Sequence, residues 1–363
     1  MTKLIKKIGI DCRSMGIGGG VKTYLINFLN RIGEIDQYNQ YVLYYDSEIN
    51  LGTFLFKNFQ EVVIPNRFRF LIPYWEQIRL RNRIVKDQID VFHGTKNTVS
   101  IFLPKRIKVV ITIHDMTPFK FTHEMSYFDL IYWRIFIPLS LRVSNRIIAI
   151  SETTKNDLIK QFPESRNKLD VIYLGHDCKK TGNDCKKDYF LVVGAIRQRK
   201  NLERILIALS KLSDKEINIY IVGKDLKYSD RIMSLVHRLN ICERAVFRGY
   251  VSDDELNQLY SKAVCCLYPS LYEGFGLPIL EAQAHGLPVI TSNISSMPEV
   301  AGDGAILVDP YNIDDIKNAM ELIIGDENLR KQLINKGYRN LDRFSWKKCA
   351  EETVKVYNEI CED

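Results

Sequence analysis

The chain lacks three short motifs that would each identify a common kind of active site. No Asp-x-Asp pair occurs, so there is no short carboxylate bridge to join a divalent metal to a diphosphate. The Gly-x-Ser-x-Gly turn of serine hydrolases and the Walker A phosphate loop are also absent. Chemistry at a phosphorylated ligand would then depend on cationic side chains and helix amides, and we expect neither a metal nor another cofactor.

Long apolar runs and paired cysteines are missing as well. No stretch reaches the ~18 apolar residues of a membrane-spanning helix. The early apolar run Ile8-Gly9-Ile10 stops at Asp11, which is too short for a signal peptide. The eight cysteines show no metal-type spacing, and the nearest pair, Cys178 and Cys185, lies in a polar stretch that indicates a flexible linker. We therefore expect a cytoplasmic protein with reduced thiols.

Charge is distributed unevenly along the chain. Residues 1–180 carry 27 Lys and Arg against 17 Asp and Glu, whereas residues 181–363 carry 24 against 27. Much of the basic surplus is interleaved with apolar residues in one segment, which contains Arg67, Arg69, Arg79, Arg81, Arg83, Lys86, Phe68, Phe70, Leu71, Ile72, Tyr74, Trp75 and Ile78. This mixture suits an anionic membrane surface or a lipid-linked acceptor, which would place the protein at the inner face of the membrane. The alternative is a solvated helix face beside a core strip. No nucleic-acid reader motif accompanies the basic residues, so nucleic acid is not an expected partner.

Short β-branched runs alternate with longer amphipathic segments, a pattern typical of α/β proteins with parallel sheets. In the first half we predict strands over Lys7–Ile10, Tyr41–Tyr45, Val91–His93, Val109–Ile113, Arg146–Ile150 and Asp170–Tyr173. In the second half we predict strands over Tyr189–Val193, Asn218–Val222, Ala245–Arg248, Val264–Leu267, Val289–Thr291 and Ala305–Val308. Two α/β halves of this kind imply a cleft lined by the loops that follow the strands.

The length of 363 residues exceeds the size at which one core keeps growing, so two domains are expected. We predict a first domain over residues 1–175, a polar linker over 176–188, a second domain over 189–345 and a terminal helix within 346–363. Other predicted helices cover Tyr24–Ile32, a segment that follows Ser151 as N-cap, Leu202–Leu212 and Asp253–Ser261.

The segment Glu273-Gly-Phe-Gly-Leu-Pro-Ile-Leu-Glu281 is the most specific motif in the chain. Pro278 suits the first turn of a helix, so the Gly-x-Gly turn and the helix start would offer backbone N–H groups to phosphate oxygens. Glu273 precedes that anion site, and Glu281 lies about one turn inside the helix. The arrangement suits a nucleotide-sugar, whose diphosphate needs hydrogen-bond donors and whose hydroxyls need carboxylates.

Three other loops that follow predicted strands carry candidate groups. Gly16-Ile-Gly-Gly-Gly20 would let the backbone approach a ligand, although Val21 stands where the dinucleotide fingerprint requires its third glycine. With Asp46 as the ribose-binding acid, this loop leaves a dinucleotide site as an alternative. His114 ends a buried strand and would accept or donate a proton at a sugar oxygen, and His93 is a weaker candidate of the same kind. Arg197, Arg199 and Lys200 lie together ahead of a helix and would stabilise a departing diphosphate.

Taken together these motifs resemble the retaining glycosyltransferases of family 4, which have the GT-B fold of two Rossmann-like domains that face each other across a cleft. The resemblance covers nearly the whole chain. Its main elements are Gly19-Gly20-Val21, Ile113-His114-Asp115, Ile150-Ser151-Glu152, Arg199-Lys200-Asn201-Leu202, Pro269-Ser270, Glu273 to Glu281, Ala284-x-Gly286-x-Pro288-Val289 and Met297-Pro-Glu299-Val-Ala-Gly302-Asp303.

The resemblance implies a role for each matching residue. Lys200 would contact the donor diphosphate, Glu281 the nucleotide ribose, and Glu273 the donor sugar; His114 would lie beside the transferred sugar. The implied catalytic residues are His114, Glu273, Arg199 and Lys200. The implied donor-binding residues are Gly19, Gly20, Arg197, Gly274, Phe275, Gly276, Leu277 and Glu281. Many members place an arginine where this chain has Gly194 or Ala195, so Arg197 or Arg199 must replace it, and Arg199 fits better.

The expected activity is therefore transfer of a hexose from a nucleotide-sugar to a glycan or lipid-linked acceptor, with a mild preference for mannose from GDP-mannose. We expect the second domain to bind the donor and the basic first domain to bind the acceptor, in a front-face reaction in which the leaving phosphate takes the acceptor proton. The resemblance implies that the terminal helix crosses back onto the first domain. Two alternatives stay open: an NAD(P)-dependent oxidoreductase built on the first glycine loop, and a nucleotide-sugar-binding subunit without activity.

Overall fold

The computed structural model describes residues 5–16, 19–48, 51–66, 68, 71–176, 189–224 and 228–362. The chain divides into two compact units, one formed by Met1–Gly175 with Ser345–Asp363 and the other by His176–Phe344. Apart from His176, the predicted linker with Cys178 and Cys185 lies outside the described residues. Within the described ranges, no helix is long and apolar enough to cross a membrane.

A seven-stranded parallel sheet forms the centre of the first unit. Its strands are β1 (Lys7–Asp11), β2 (Gln40–Tyr45), β3 (Phe59–Val63), β4 (Val91–Gly94), β5 (Lys108–Ile113), β6 (Arg146–Ala149) and β7 (Leu169–Val171). They lie in the order β3-β2-β1-β4-β5-β6-β7, so the direction of winding reverses between β1 and β4. Loops beyond the carboxyl ends of strands at such a reversal are the usual place for a ligand.

The helices of the first unit are α1 (Gly20–Ile35), α2 (Ile72–Tyr74), α3 (Arg81–Lys86), α4 (Thr117–Lys120), α5 (Tyr127–Val143) and α6 (Glu152–Gln161). Between α2 and α3, residues Trp75–Leu80 form a π-helix. The predicted N-cap of α6 is confirmed, because the Ser151 hydroxyl accepts a hydrogen bond of 3.0 Å from the Thr154 amide. Helix α1 begins at Gly20 instead of the predicted Tyr24.

The second unit repeats the same design with six parallel strands. These are β8 (Tyr189–Val193), β9 (Asn218–Val222), β10 (Ala245–Gly249), β11 (Cys265–Tyr268), β12 (Val289–Ser292) and β13 (Ala305–Val308), in the order β10-β9-β8-β11-β12-β13. Its helices are α7 (Leu202–Ser210), α8 (Ser229–Arg238), α9 (Asp253–Lys262), α10 (Leu277–Ala284), α11 (Met297–Ala301), α12 (Ile313–Gly325) and α13 (Glu327–Leu341). The predicted pair of doubly wound α/β domains is confirmed.

The final helix, α14 (Trp346–Glu359), packs against α1 of the first unit. Ser345 caps it by accepting a hydrogen bond from the Lys348 amide, and the Trp346 ring lies 6.3 Å from the ring of Tyr24. The hydroxyl of Tyr357 lies 2.6 Å from Nδ1 of His93 at the end of β4. Apolar packing and a buried hydrogen bond therefore hold the end of the chain on the first unit.

One strand, β3, is not predicted from the sequence. Its residues are Phe-Gln-Glu-Val-Val, and Val62 alone among them is buried. Among the described strands it pairs with β2 alone, at the edge of the sheet, so much of it faces solvent and polar residues interrupt the apolar pattern. The other twelve strands match their predictions to within two residues at each end.

Candidate active site

The glycine turn before α10 adopts the geometry that its sequence predicts. Gly276 has a φ of +116°, which residues with a side chain rarely adopt, and α10 begins immediately after it at Leu277 with Pro278 in its first turn. The amides of a first helical turn have no partner within the helix, and the helix dipole makes this end positive. This end of α10 is therefore a suitable place for an anion.

Glu273, just before that turn, is buried between two cations. Its two carboxylate oxygens lie 2.7 Å from Nη1 of Arg199 and 2.7 Å from Nζ of Lys200. Arg199 also donates to the carbonyl of Tyr272, while its own carbonyl accepts from the amide of Leu271 at 2.7 Å. We call Arg199, Lys200 and Glu273 the Glu273 cluster. It joins the loop after β8 to the loop after β11.

The charges in this cluster determine the ionisation of Glu273. Burial alone would raise the pKa of its carboxyl, but the positive charges and hydrogen bonds of Arg199 and Lys200 outweigh burial and hold the pKa at about 2. Glu273 is therefore ionised at neutral pH. Two cations and one carboxylate leave the cluster with a net charge of +1, next to the positive end of α10.

Tyr268, the last residue of β11, holds the ammonium group of Lys200. The Lys200 Nζ atom donates to the Tyr268 hydroxyl at 2.7 Å and lies 4.4 Å from the ring centroid, within cation–π distance. Gly194 is close on another side, since a Cβ atom there would lie 3.2 Å from Cε of Lys200. Tyr268 is not predicted as a site residue. Its only signal in the sequence is an aromatic residue directly before Pro269-Ser270.

Two serines fix the backbone of the predicted donor-binding turn. The Ser295 hydroxyl donates to the carbonyl of Glu273 at 2.8 Å and accepts from the amide of the same residue at 3.1 Å. The Ser296 hydroxyl donates to the carbonyl of Phe275 at 2.7 Å. Hydrogen bonds to Glu273 and Phe275, which are not predicted from the sequence, thus hold the turn formed by Gly274, Phe275 and Gly276.

Glu281 lies half-buried on α10, four residues after its start. Its Oε2 atom accepts a hydrogen bond of 2.8 Å from the hydroxyl of Tyr260, whose ring stacks on His285 at 5.1 Å. Burial raises the pKa of Glu281, and the hydrogen bond from Tyr260 opposes that rise. The carboxylate is therefore oriented by α9 and retains a second oxygen for a ligand hydroxyl.

The remaining predicted residues lie in the two loops where the sequence places them. Arg197 is half-buried in the loop after β8, at the N-cap position of the short 3₁₀ turn that contains Arg199 and Lys200. Gly19 has a φ of +106° and is the N-cap of α1 in the first unit, followed by Gly20. Gly18 lies outside the described residues.

His114 follows β5 in the first unit and is 7% exposed. Its Nε2 atom lies 2.8 Å from the carbonyl of Thr95, which fixes the proton on that nitrogen, and its ring packs edge-to-face with Tyr24. Burial lowers the pKa of the imidazole, so the ring is neutral at neutral pH. Nδ1 is then the nitrogen that can accept a hydrogen bond.

The weaker candidate, His93, is a structural residue. It is fully buried, with Nδ1 on the Tyr357 hydroxyl and Nε2 at 2.7 Å from the hydroxyl of Thr112. Burial and the neighbouring His114 lower the pKa of His93 to about 3, so it stays neutral. Both ring nitrogens thus have protein partners, one of them on α14, which favours the structural interpretation of this weaker candidate.

Two family models match the chain. The model described as Glycosyltransferase Family 4 matches residues 18–180, and the model described as Glycosyl transferases group 1 matches residues 176–340. The O-antigen chain mannosyltransferase RfbU of Salmonella typhimurium is 30% identical over 86% of this chain and 88% of its own length. The chain belongs to glycosyltransferase family 4. The O-antigen chain mannosyltransferase B of Escherichia coli is 29% identical over 82% of this chain and 81% of its own length.

Solved structures of low sequence identity share the fold of this family 4 glycosyltransferase. Sucrose-phosphate synthase from Thermosynechococcus elongatus superposes with a TM-score of 0.78 at 18% identity, covering 98% of this chain and 99% of that one. WaaG, a glycosyltransferase involved in lipopolysaccharide biosynthesis, gives a TM-score of 0.75 at 14% identity over 96% and 99% of the two chains. The predicted GT-B fold class is confirmed.

Membership of this family confirms the predicted enzyme class, a glycosyltransferase. It does not favour the oxidoreductase alternative, since the matching families and relatives are glycosyltransferases. The structure of this glycosyltransferase brings Arg199, Lys200 and Glu273 into direct contact. The choice of Arg199 over Arg197 as the substitute for the missing arginine stays a prediction. Among the described residues, no group of three or more His, Cys, Asp or Glu side chains is arranged to hold a metal ion.

Proposed function

We propose that this glycosyltransferase moves a hexose, with mannose from GDP-mannose preferred, to a glycan or lipid-linked glycan with retention at the anomeric carbon. The main support for donor binding is the Glu273 cluster, which has a net positive charge and lies beside the start of α10. The mannose preference is supported by the names of the relatives, two of which are O-antigen chain mannosyltransferases. Their names also support a role in the synthesis of a surface polysaccharide.

In this proposal the second unit binds the donor. Arg199, Lys200 and the amides from Gly274 to Leu277 hold the diphosphate, and Glu281 accepts a hydrogen bond from the ribose. Glu273 keeps the two cations in place and reaches the donor sugar. Fixed positive groups act more strongly on the charge that develops on the leaving diphosphate than on the ground state, so they lower the barrier without a metal. Arg197, in the same loop as Arg199 and Lys200, adds a further positive charge for the donor.

The proposed reaction proceeds on one face of the sugar. The bond from the anomeric carbon to the diphosphate oxygen breaks, a bond to the acceptor oxygen forms on the same face, and the acceptor proton passes to the departing phosphate. His114 contacts the transferred sugar through Nδ1, and Gly19 and Gly20 allow the first unit to approach the donor. Incubation with GDP-mannose and a mannoside acceptor in EDTA, followed by NMR of the product, tests this directly. An α-linked product supports the proposal, whereas a β-linked product or a strict metal requirement would contradict it.

Replacement of Glu281 by Ala should raise the KM for the donor by roughly 10- to 100-fold. A hydrogen bond to a charged group is worth about 1.5–3 kcal/mol, and the variant loses the one to the ribose hydroxyls. Steady-state kinetics with varied donor would measure the change. The matched control is Glu327→Ala, which removes an exposed carboxylate of the same unit. An equal KM in the two variants would exclude Glu281 from the donor site.

We also propose that the first unit contacts an anionic membrane surface through the segment from Phe68 to Lys86. Phe68, Tyr74 and Ile78 are exposed there. The same segment carries Arg79, Arg81 and Arg83, the last of which is paired with Asp87 at 2.8 Å. Binding to phosphatidylglycerol vesicles should therefore be strong at low ionic strength and should weaken at about 0.5 M salt. Cosedimentation measures this, and no binding at low salt would remove the membrane from the proposal. Arg67, Arg69 and Phe70 lie outside the described residues.

A further inference from the structure

A cavity of about 620 Å³ lies within the first unit, at the carboxyl ends of its central strands. Its polar lining includes Arg13, Asp46 and Lys96, which closely follow β1, β2 and β4. The winding of the sheet reverses between β1 and β4. The cavity therefore occupies the position in an open parallel sheet where ligands bind.

The floor of this cavity is a buried network around Arg13. The guanidinium is 4% exposed and lies 2.9 Å from Asp11 and 2.6 Å from Glu76. Glu76 is fully buried and also accepts hydrogen bonds from the hydroxyls of Thr98 and Tyr132. Replacing buried ion pairs by apolar residues is often neutral or stabilising, so stability alone gives little reason for this network.

The π-helix of Trp75–Leu80 is the local feature that places Glu76 in this network. Trp75, Glu76 and Gln77 are three consecutive buried residues, which a regular surface helix with one apolar face does not provide. π-helical turns are frequent at functional sites. The irregularity thus gives the floor a buried carboxylate that keeps Arg13 in position.

The charged groups at this cavity have no positive excess. Arg13 and Lys96 are positive, whereas Asp11, Asp46, Glu76 and Asp129 are acidic. Such a set of donors and acceptors suits neutral hydroxyl groups better than a phosphate. The floor is therefore suited to a sugar.

The walls have the opposite character, being aromatic and aliphatic. Helix α5 contributes Phe128, Ile131 and Ile135, which are 83%, 39% and 50% exposed. The facing wall contains Ile72 and Pro73, flanked by the exposed side chains of Leu71 and Tyr74. Large apolar side chains exposed around a polar cavity mark a binding surface for a ligand with an apolar part.

We infer that this cavity binds the acceptor as a glycan joined to a long hydrocarbon chain. The sugar lies on the Arg13 floor, and the first part of the chain lies along the exposed face of α5. This inference rests on the proposed function for the identity of the ligand as acceptor. It goes further in naming the lipid-linked class over the free glycan and in assigning α5 to the chain.

Isothermal titration calorimetry with methyl α-mannoside and octyl α-mannoside tests the inference without any donor. The octyl compound should bind the wild-type protein at least about tenfold more tightly, since each buried methylene adds to the affinity. Phe128→Ser combined with Ile135→Ser should remove this advantage and leave the binding of the methyl compound unchanged. Leu55→Ser, at a side chain that is 90% exposed elsewhere in the same unit, should retain the advantage.

Several results would overturn the inference. These are equal affinity for the two mannosides, no binding of either, an equal loss in Leu55→Ser, or full octyl binding in the double variant. Loss of phosphatidylglycerol-vesicle binding in the double variant, with normal binding of octyl α-mannoside, would instead assign α5 to the membrane surface.

A second experiment uses the wild type, in case the double variant fails to fold. Octyl α-mannoside with a photoreactive diazirine at the end of its alkyl chain would be crosslinked to the protein. It should label α5, and labelling mainly elsewhere contradicts the inference. Failure of the proposed function would give a different result. The protein would then bind the mannosides normally but would transfer no sugar from any nucleotide-sugar.

Discussion

Lys200→Ala should lower kcat/KM for hexose transfer by roughly 100- to 1000-fold, the usual cost of removing one fixed group that stabilises developing negative charge. Lys200 is the cation held between Glu273 and Tyr268, with its ammonium group 2.7 Å from each. Its loss takes a full positive charge from the place where the diphosphate departs. Steady-state transfer assays with the donor and with an alkyl mannoside would measure the effect.

The fold of the Lys200→Ala variant should survive, which separates catalysis from stability. Arg199 remains on Glu273 at 2.7 Å, so the buried carboxylate keeps one partner. The control is Lys331→Ala, since Lys331 is 66% exposed and paired only on the surface of α13. A Lys200→Ala enzyme with near wild-type kcat/KM would show that the diphosphate is bound elsewhere.

Glu273→Gln should reduce both activity and stability. Removing one partner of a buried ion pair typically costs about 3–5 kcal/mol, and the cost here should be near the lower end because the Arg199 and Lys200 side chains are still 17% and 13% exposed. Transfer should fall as well, since without Glu273 the two cations repel each other and leave their positions. Urea unfolding at neutral pH and initial-rate assays measure the two effects.

The same variant should change how stability depends on pH. Glu273 has a folded pKa of about 2, below its ordinary value of 4.5. Its contribution to the free energy of unfolding is therefore complete above about pH 4.5 and is lost as the pH falls towards 2. The shift corresponds to a stability change on the order of 3 kcal/mol, and the Gln variant lacks it. Wild type and variant should thus converge in unfolding free energy as the pH falls from 5 to 2. Parallel curves, or an equal effect in Glu327→Gln, would contradict the buried ion pair.

The candidate site in the second unit shows which contacts can be predicted from the sequence. Arg199 and Lys200 lie in one loop and Glu273 to Glu281 in another, each after a strand whose apolar residues predict it. Because the carboxyl ends of parallel strands meet at one edge, these loops are expected to be close, and the Glu273 cluster confirms this for Arg199, Lys200 and Glu273. The roles of these residues toward a donor stay predictions.

The residues missed from the sequence are those whose partners are distant in the chain and carry no motif. Arg13 meets Glu76 across 63 residues, and only a π-helix, which no apolar periodicity indicates, turns Glu76 inward. The contact of His93 with Tyr357 could not be predicted, because the two residues are 264 positions apart in the chain. Tyr268 was missed because an aromatic residue in a buried strand more often belongs to the core.

The central claim is that the second unit binds a nucleoside diphosphate at the Glu273 cluster. Thermal unfolding of the wild type and of Lys200→Ala, each with GDP, UDP, dTDP, NAD or NADP, tests it most directly. A ligand at 100 times its Kd stabilises by about 2.7 kcal/mol, which is a readable shift in Tm. We predict a rise with one nucleoside diphosphate, GDP first, that is lost in Lys200→Ala. A rise with a nicotinamide dinucleotide alone, or a diphosphate shift that Lys200→Ala leaves unchanged, would contradict the claim.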